Sequence, residues 1–406
     1  MLEVNEFLVL DFIRGRERTT RPEIAQALGL SASSVSRMVA RLETGGLVVE
    51  SPGTSPTAGR PAGVIAFNHS AGAVVAVDLG GTRCHGALAD LSGTILVEDV
   101  RATQGPGGAY AALAGTIEKL REAARQRELP VTALTVGIPA ILDPETGTAV
   151  GGPHVDWHGF EVVRRLREFV DVPFLVENDA NLAALAHAWR GDGQGLDNFV
   201  AVSIGTGIGA AVVTNGQLVK GHHNAAGEIG YLVMGLEQLR HRLDGGIGGF
   251  EAVASGPAIA QRAAELLAAA RAAADGPGQG TGALWGQEIT AELVFVAAEA
   301  GDPLGRQVID EVVDWVALAL IAVVGTLDPE LIILEGRVGR SLEPYLGEIV
   351  RRMADRLPVM PRLAVSRLGP TATMIGAIAA GLQLAHRRGA PTALFRAFDV
   401  GQKVQP

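Results

Sequence analysis

Two glycine-rich segments, 125 positions apart, constrain the fold of this chain more than any other feature. The first runs from Val75 to Thr82 and the second from Val200 to Gly207. Each is an apolar stretch that ends in a glycine turn and is followed by more apolar residues, which is typical of a β-hairpin. A hairpin unit that occurs twice predicts two related lobes that face each other across a cleft.

The two turns also suit phosphate binding, because their backbone N–H groups can close around phosphate oxygens. The residues concerned are Gly80, Gly81 and Thr82 in the first turn and Gly205, Thr206 and Gly207 in the second. The sequence contains no Walker loop. An ordinary tight hairpin needs the same glycines, so both alternatives stay open at this point.

Length and composition narrow the class of protein. The chain has 406 residues, 48% of them hydrophobic and 19% charged, which is enough for two or three packed domains. The longest apolar run, from Trp315 to Val324, is shorter than the roughly 20 residues that cross a bilayer, and it predicts a buried helix. The acidic N-terminus is unlike a signal peptide, so we expect a cytoplasmic protein that does not contact membranes.

Charge is unevenly distributed along the chain. Residues 1–68 contain seven arginines and seven acidic residues, whereas the remainder contains 27 basic and 37 acidic residues and carries the whole net charge of −10. The acidic remainder repels DNA, so any DNA contact has to come from the first 68 residues.

These first 68 residues, here called the head, have the element order of a winged helix-turn-helix. A first helix is followed by a capping box at 20–23, which begins a second helix that ends at Gly29. Ser31 then caps a third helix, and strands at 47–49 and 64–67 enclose a wing.

Helical spacing predicts the core of the head. Ile24, Ala27 and Leu28 are expected to point inward from the second helix. In the third helix the apolar positions form one buried stripe: Val35, Met38, Val39 and Leu42.

The opposite face of the third helix carries the predicted DNA contacts: Ser33, Ser34, Ser36, Arg37 and Arg41. Hydroxyl groups reach phosphates or bases, and arginine reads guanine edges. Arg60, in the wing and linker segment 51–61, is a further candidate. The alternative is a three-helix bundle with a solvated face, or a protein–protein module.

Polar residues follow an apolar strand at Glu177-Asn-Asp-Ala-Asn181 and precede an alanine-rich helix. Asp179 is placed to act as a general base toward a hydroxyl group. A helix N-cap is the alternative, because Asn and Asp cap helices well.

The order of these motifs resembles the ROK family of sugar kinases and sugar-responsive repressors, over nearly the whole chain. DLGGT at 78–82 and SIGTGIG at 203–209 are similar to the family's two phosphate motifs, and GIPA at 137–140 to its sugar-pocket turn. ENDAN at 177–181 and GEIG at 227–230 are similar to its sugar-binding motifs.

The resemblance implies a sugar site made of Gly137, His154, Asn178, Asp179, Glu228, Tyr231 and Glu251. Asp179 would be the catalytic base in a kinase, Asn178 would bind a sugar hydroxyl group, and the glutamates would contact the sugar ring. Glu251 ends a loop, Leu243 to Glu251, that is unusually rich in glycine.

The family fold is an α/β fold of the actin/hexokinase type, with two ribonuclease-H-like lobes. The expected domains are a winged helix-turn-helix with wing and linker at 1–68, a first lobe at 69–191 and a second lobe at 192–406. The resemblance also implies that a C-terminal helix around 375–377 packs back on the first lobe.

The sequence departs from the family at its zinc site. Family members commonly bind a structural zinc through one histidine and three cysteines, whereas Tyr231 stands at the histidine position and the chain's single cysteine is Cys84. His222, His223 and His241 are possible replacement ligands, but loop histidines are usually just solvated. We expect no bound metal. The rigidity that zinc would supply then comes from packing around Phe250 and Tyr231 or is absent, and we expect a glycine loop that stays mobile until sugar binds.

A second departure lies at the nucleotide turn, which reads Leu334-Glu-Gly-Arg-Val338. A carboxylate and an arginine stand where family members have glycines that admit adenosine. This change weakens the prediction of ATP binding more than the prediction of sugar binding.

Three functions are compatible with the sequence. The first is a sugar-responsive regulator of carbohydrate metabolism, with repression as its expected action, that binds operator DNA as a homodimer or homotetramer and requires no cofactor. The second is an ATP- and Mg²⁺-dependent sugar kinase, or a bifunctional protein. The third is a scaffold for a protein partner. The complete set of sugar-site residues and the altered nucleotide turn favour the first.

Overall fold

The computed structural model of the protein describes residues 2–52, 63–104, 108–150, 159–240, 246–273, 284 and 288–386. Within these ranges the contacts divide the chain into two compact units. The first contains 2–138, 166–177 and 377–386, and the second contains 139–165 and 178–376. This grouping follows packing and not chain order, and the predicted boundary between residues 191 and 192 stays a prediction.

The head, which belongs to the first unit, is a winged helix. Three helices precede a small sheet of strand order β1-β3-β2. The elements are α1 (Leu2–Arg14), β1 (Thr19–Thr20), α2 (Arg21–Leu28), α3 (Ala32–Thr44), β2 (Val48–Ser51) and β3 (Val64–Phe67).

Local sequence explains the helix ends of the head. The Glu23 N–H donates to the Thr20 hydroxyl and the Thr20 N–H donates to the Glu23 carboxylate at 2.8 Å, which confirms the capping box. Gly29 ends α2 with φ of +64°, a conformation that glycine adopts without steric cost. Ser31 caps α3 through a bond from the Ser34 N–H.

The core of the head contains the stripe predicted in α3, together with Val9 and Ile13 of α1 and Ile65 of β3. The prediction for Ala27 is wrong, since its side chain is exposed and Ala25 packs against the core instead. With 100° per residue, Ile24, Ala25 and Leu28 share one arc of α2, and Ala27 lies outside it.

The remainder of the first unit contains a five-stranded sheet of order β10-β7-β4-β5-β6. Its strands and helix are β4 (Ala73–Leu79), β5 (Arg83–Asp90), β6 (Ile95–Ala102), α4 (Gly108–Arg125), β7 (Val131–Ile138) and β10 (Phe174–Asn178). β4, β5 and β6 are antiparallel, and β7 pairs parallel with β4.

The second unit repeats this arrangement with strand order β13-β12-β11-β14-β15. Its sheet contains β11 (Phe199–Ile204), β12 (Ile208–Thr214), β13 (Gln217–Val219), β14 (Leu331–Glu335) and β15 (Arg362–Val365). The first three strands are antiparallel and the last two join in parallel. In both sheets the first strand is central, so the prediction of two related lobes from two hairpins is confirmed.

The remaining elements are mostly helices. They are β8 (Ile141–Leu142), β9 (Ala149–Val150), α5 (Val162–Arg167), α6 (Asp179–Arg190), α7 (Leu236–Arg240), α8 (Glu251–Ala254), α9 (Gly256–Ala273), α10 (Ala291–Glu299), α11 (Pro303–Leu327), α12 (Gly336–Ser341), α13 (Leu346–Ala354) and α14 (Ala372–His386).

The predicted apolar helix lies in the second half of α11, whose inner face is buried in the core of the second unit. Among the residues that the structure describes, no helix combines the length and apolar character that a bilayer crossing requires. In the first unit, the later half of α14 reaches the sheet, since a Cβ at Gly381 would lie 3.3 Å from the Val74 Cβ.

Candidate functional site

The two glycine turns connect the antiparallel strands as predicted. The Gly80 N–H donates to the Arg83 carbonyl and the Gly205 N–H to the Gly207 carbonyl, each at 2.9 Å. These two amides therefore close their own hairpins, which satisfies the structural alternative. Phosphate binding by the remaining residues, Gly81, Thr82, Thr206 and Gly207, stays a prediction.

The ENDAN segment turns from β10 into α6. The Asn178 side-chain carbonyl accepts bonds from the backbone N–H groups of Ala180 and Asn181, at 2.9 and 3.3 Å, so Asn178 is the N-cap. Its amide donates to the Ala140 carbonyl at 3.4 Å. Asp179 is the first residue of α6, where the helix dipole favours an ionised carboxylate.

Glu228 and Glu251 form a carboxylate pair beside β12. Glu251 is buried and accepts a bond from the Ile208 N–H at 2.8 Å. Burial raises the pKa of Glu228 above its usual value, and the nearby charge of Glu251 raises it further. Two carboxylates at one place offer acceptors to the hydroxyl groups of a ligand.

Glycines bring this pair close to the strand. A Cβ at Gly227 would lie 1.9 Å from the Ala210 carbonyl oxygen, and one at Gly230 would lie 2.5 Å from that of Ile208. Only glycine permits such a close approach of two backbones. The packing of the GEIG segment against β12 therefore requires glycine at both positions.

The described part of the glycine loop, residues 246–251, is attached to the GEIG segment. The Phe250 N–H donates to the Gly230 carbonyl at 3.1 Å. Gln238 joins the two segments, since it accepts from the Met234 N–H at 2.7 Å and donates to the Gly249 carbonyl at 3.0 Å. Sequence reasoning missed Gln238, because nothing in its surroundings in the sequence marks it as a brace.

The two aromatic residues that are expected to pack around the loop differ in burial. Phe250 is fully buried, whereas Tyr231 is 49% exposed. The ring of Tyr231 lies near the carboxylate pair, and burial, followed by Glu228 and Glu251, raises the pKa of its hydroxyl. Tyr231 therefore stands at the rim of the candidate site.

The side chains that the structure describes around the glycine loop do not form a zinc site. Tyr231 replaces the histidine, and within the described ranges no group of three His, Cys, Asp or Glu side chains could hold a metal. His222 and His223 are exposed and pack edge to face at 4.4 Å between ring centroids. His241 lies outside the described residues, so the absence of zinc stays a prediction, as does mobility of the loop.

The predicted nucleotide turn contains a carboxylate that bonds within the chain. Glu335 is buried at the end of β14, and its carboxylate accepts a bond from the Nε2 of His187 at 3.2 Å. The Ser366 hydroxyl lies 3.2 Å from the same nitrogen. The Arg337 guanidinium points outward and pairs with Glu292 at 3.3 Å. A buried carboxylate repels phosphate, which is consistent with the expected weakening of ATP binding, and that weakening stays a prediction.

Sequence reasoning also missed His187, which is fully buried near the end of α6. Its Nδ1 lies 3.4 Å from the Asp192 backbone nitrogen and 3.6 Å from the Asp192 carboxylate. The Asn178 cap at one end and the His187 bonds at the other therefore fix the helix that carries Asp179.

Gly137 and His154 also belong to the predicted sugar site. Gly137 is buried near the end of β7 in the first unit. His154 lies outside the described residues.

The polar face of α3 is largely as predicted. Ser33, Ser36, Arg37 and Arg41 are exposed. Ser34 is half-buried, and its hydroxyl accepts a bond from Ser31 at 2.9 Å, which makes it part of the helix cap. Arg60 lies outside the described residues.

A winged helix-turn-helix followed by a two-lobed, sugar-kinase-like body defines the class: a transcriptional regulator built on a sugar-kinase fold. The ROK family matches residues 74–383, and the MarR family matches residues 2–60 of the head. The chain belongs to the ROK family.

Individual relatives support both parts of this description. The chain is 24% identical over 389 residues to the xylose repressor of Caldicellulosiruptor bescii, covering 93% of this chain and 95% of that one. It is 29% identical over 314 residues to the glucokinase of Halalkalibacterium halodurans, covering 74% and 92% respectively. The crystal structure of a ROK family transcriptional regulator, a homologue of the E. coli MLC protein, matches with a TM-score of 0.77 and 25% identity, covering 95% of this chain and 96% of that one.

Proposed function

We propose that this protein is a repressor that binds operator DNA through α3 and releases or repositions it when a sugar binds the body. The observation that carries the proposal is that one chain combines an exposed serine–arginine face on α3 with the Glu228–Glu251 carboxylate pair. The alignment with a xylose repressor over 93% of the chain supports it.

The sugar ligands that we propose are Gly137, His154, Asn178, Asp179, Glu228, Tyr231 and Glu251. Carboxylates accept bonds from sugar hydroxyl groups, and a bond to a charged acceptor contributes about 1.5–3 kcal/mol. The capped start of α6 and the glycine-packed GEIG segment pre-organise Asp179 and Glu228, which reduces the entropy lost on binding. No nucleotide and no metal are required for this recognition.

Regulation follows from linkage. A sugar that prefers one arrangement of the body changes DNA affinity only if that arrangement also changes how the heads meet DNA. Two heads in a symmetric homodimer, or four in a homotetramer, would bind a pseudo-palindrome whose half-sites lie about one or two helical turns apart.

The DNA face is tested by Arg37→Ala. We expect the affinity for an operator, selected from random oligonucleotides, to fall about tenfold, because one arginine contact to a base contributes about 1–3 kcal/mol. The thermal shift given by the sugar should be unchanged, because Arg37 lies in the head. Arg127→Ala removes an exposed arginine just after α4 in the body and is the charge-matched control. Equal losses in the two variants would contradict a specific role for α3.

A sugar kinase is the second candidate, because Asp179 begins α6 and a glucokinase aligns with 74% of the chain. The buried Glu335–His187 pair at the nucleotide turn favours the regulator. A coupled assay of ATP turnover over a sugar panel separates the two. Turnover that Asp179→Asn abolishes would establish a kinase, and its absence in the wild type would leave the repressor.

A further inference from the structure

Only a short segment connects the head to the sheet of the first unit. β3 of the head ends at Phe67, and β4 begins at Ala73. The strands on either side of the predicted wing and linker segment, β2 and β3, pair with each other at Ser51 and Val64, so that segment begins and ends within the head. The chain therefore enters the body through residues 68–72, which we call the joint.

The joint is hydrogen-bonded to the head just after α3. The Asn68 N–H donates to the Leu47 carbonyl at 2.9 Å, and the Asn68 side-chain amide donates to the Gly46 carbonyl at 2.8 Å. The Asn68 side-chain oxygen accepts a bond from the Ser70 N–H at 3.1 Å and so caps the short helical turn His69–Ala71. One side chain thereby fixes the path of the joint relative to the helix that carries the predicted DNA contacts.

The other end of the joint is held at the start of β7. The Ala73 N–H donates to the Pro130 carbonyl at 2.9 Å, and the Thr132 hydroxyl donates to the Ala73 carbonyl at 3.0 Å. A Cβ at Gly72 would lie 2.9 Å from the Thr132 Cγ2, so the two backbones approach closely here. A connection that is bonded at both ends differs from a flexible linker, whose backbone is free.

Leu91, in the turn between β5 and β6, adds an apolar contact between the body and the head. Its N–H donates to the His69 carbonyl at 3.0 Å, and its half-buried side chain packs against the core of the head. The Asp90 carboxylate holds this turn, since it accepts bonds from the Ser92 and Thr94 N–H groups at 2.9 and 3.0 Å. Leu91 is therefore presented to the head by a turn whose shape the body fixes.

We propose that Leu91 and Asn68 fasten the head to the body, so that the body sets the distance and the angle between two heads on DNA. This inference rests on the proposed function and deepens it, because it assigns the choice of half-site spacing to the joint. Heads on flexible linkers reach half-sites over a range of spacings, whereas heads on a rigid support accept the spacing that the support presents. Leu91 is a positioning residue, since it acts through the orientation of α3.

The test is Leu91→Ala in the full-length protein, with an operator selected from random oligonucleotides. Gel retardation compares three duplexes: the operator, a single half-site, and the operator with roughly five base pairs, about half a helical turn, inserted between its half-sites. The insertion should weaken binding of the wild type at least about 100-fold and binding of Leu91→Ala only about tenfold, because a loosened head can follow the displaced half-site. Equal affinity of both proteins for the single half-site shows that the head remains folded.

Two further variants serve as controls. Leu91→Met keeps an apolar side chain of similar volume and should retain the spacing preference of the wild type. Leu96→Ala makes the same truncation as Leu91→Ala at a side chain of β6 that is 36% exposed, and it should also behave as the wild type. A wild type that tolerates the insertion, or a Leu91→Ala variant that is as strict as the wild type, would overturn the role of the joint and leave DNA binding by α3 in place.

A second measurement tests the joint without DNA. Glu17→Cys places a thiol at an exposed position of the head, where it takes a thiol-reactive dye, whereas the native Cys84 is buried. Beyond the local motion of the dye, time-resolved fluorescence anisotropy should show one slow rotation of the whole protein, and adding Leu91→Ala should introduce a faster rotation of the head. Fast rotation with Leu91 intact, or none after its replacement, would contradict the joint. Failure to select any DNA would instead contradict the proposed function.

Discussion

Two glutamate sites in the second unit place the same kind of side chain in opposite electrostatic surroundings. Glu335, at the end of β14, is paired with His187 and lies beside the Ser366 hydroxyl, so its carboxylate is surrounded by the chain's own groups. Glu228 lies near a second carboxylate, Glu251, and its pKa is raised by burial and by that neighbour.

The difference shows how partners decide the role of a buried charge. A carboxylate that meets an imidazole is satisfied within the fold, and removing its partner is costly. A carboxylate that meets another carboxylate is held at some cost in stability, and a ligand that donates hydrogen bonds can recover that cost. The first carboxylate is therefore satisfied within the fold, whereas the second could gain hydrogen bonds from a ligand, and its binding of a sugar stays a proposal.

The largest effect should come from His187→Ala, which leaves the buried Glu335 without its imidazole partner. We expect the free energy of unfolding to fall by about 3–5 kcal/mol, measured by urea denaturation followed by circular dichroism. Adding Glu335→Gln to this variant removes the unpaired charge and should recover part of the lost free energy of unfolding. Recovery is incomplete because the cavity left by the imidazole remains. A single variant that costs less than about 1 kcal/mol would mean that the pair contributes little.

Glu251→Gln should lower the affinity for the sugar and leave stability almost unchanged, in contrast to His187→Ala. Its side-chain oxygen can still accept the bond from Ile208, so the unfolding free energy should stay within about 0.5 kcal/mol of the wild type. Affinity for the sugar that thermal-shift screening identifies should fall about 10- to 100-fold, because one hydrogen bond from the ligand to a charged acceptor is weakened. Calorimetric titration measures this, and the exposed Glu343→Gln is the matched control. Unchanged affinity would remove Glu251 from the sugar site.

The smallest effect concerns pH. The folded-state pKa of Glu228 lies above the ordinary value of 4.5, so the folded state binds this proton more readily than the unfolded state does. As pH falls from 7 toward 4.5, the wild type should gain stability relative to Glu228→Gln. We expect the difference in melting temperature to change by about 1–2 °C across this range. Glu343→Gln should follow the wild type, and parallel curves for all three proteins would contradict the carboxylate pair.

Local patterns predict the head reliably. The capping box at 20–23, the end of α2 at Gly29 and the stripe of α3 are confirmed because each depends on residues within one or two helical turns. The orientation of Ala27 could not be predicted in the same way, because the surrounding core decides how so short a helix is rotated.

In the body, too, features that depend on neighbouring residues were predictable, whereas features that depend on distant residues were not. Both hairpins and the turn from β10 into α6 were predictable, because glycine turns and capping residues act on their own backbone. The role of Asn178 illustrates the limit, since the sequence allowed a sugar ligand or a helix cap and the structure contains the cap. Sugar binding and DNA contact by the predicted residues stay predictions.

By itself, the sequence determined the element order, the two lobes and the family, because hydrophobic period, capping and glycine turns are local properties of the chain. Only the tertiary structure decided which buried carboxylates are paired. His187 and Glu335 are 148 positions apart, and Gln238 braces a loop 11 positions further along the chain. Such partners are set by strand order and helix packing, which bring together side chains that no spacing in the sequence relates.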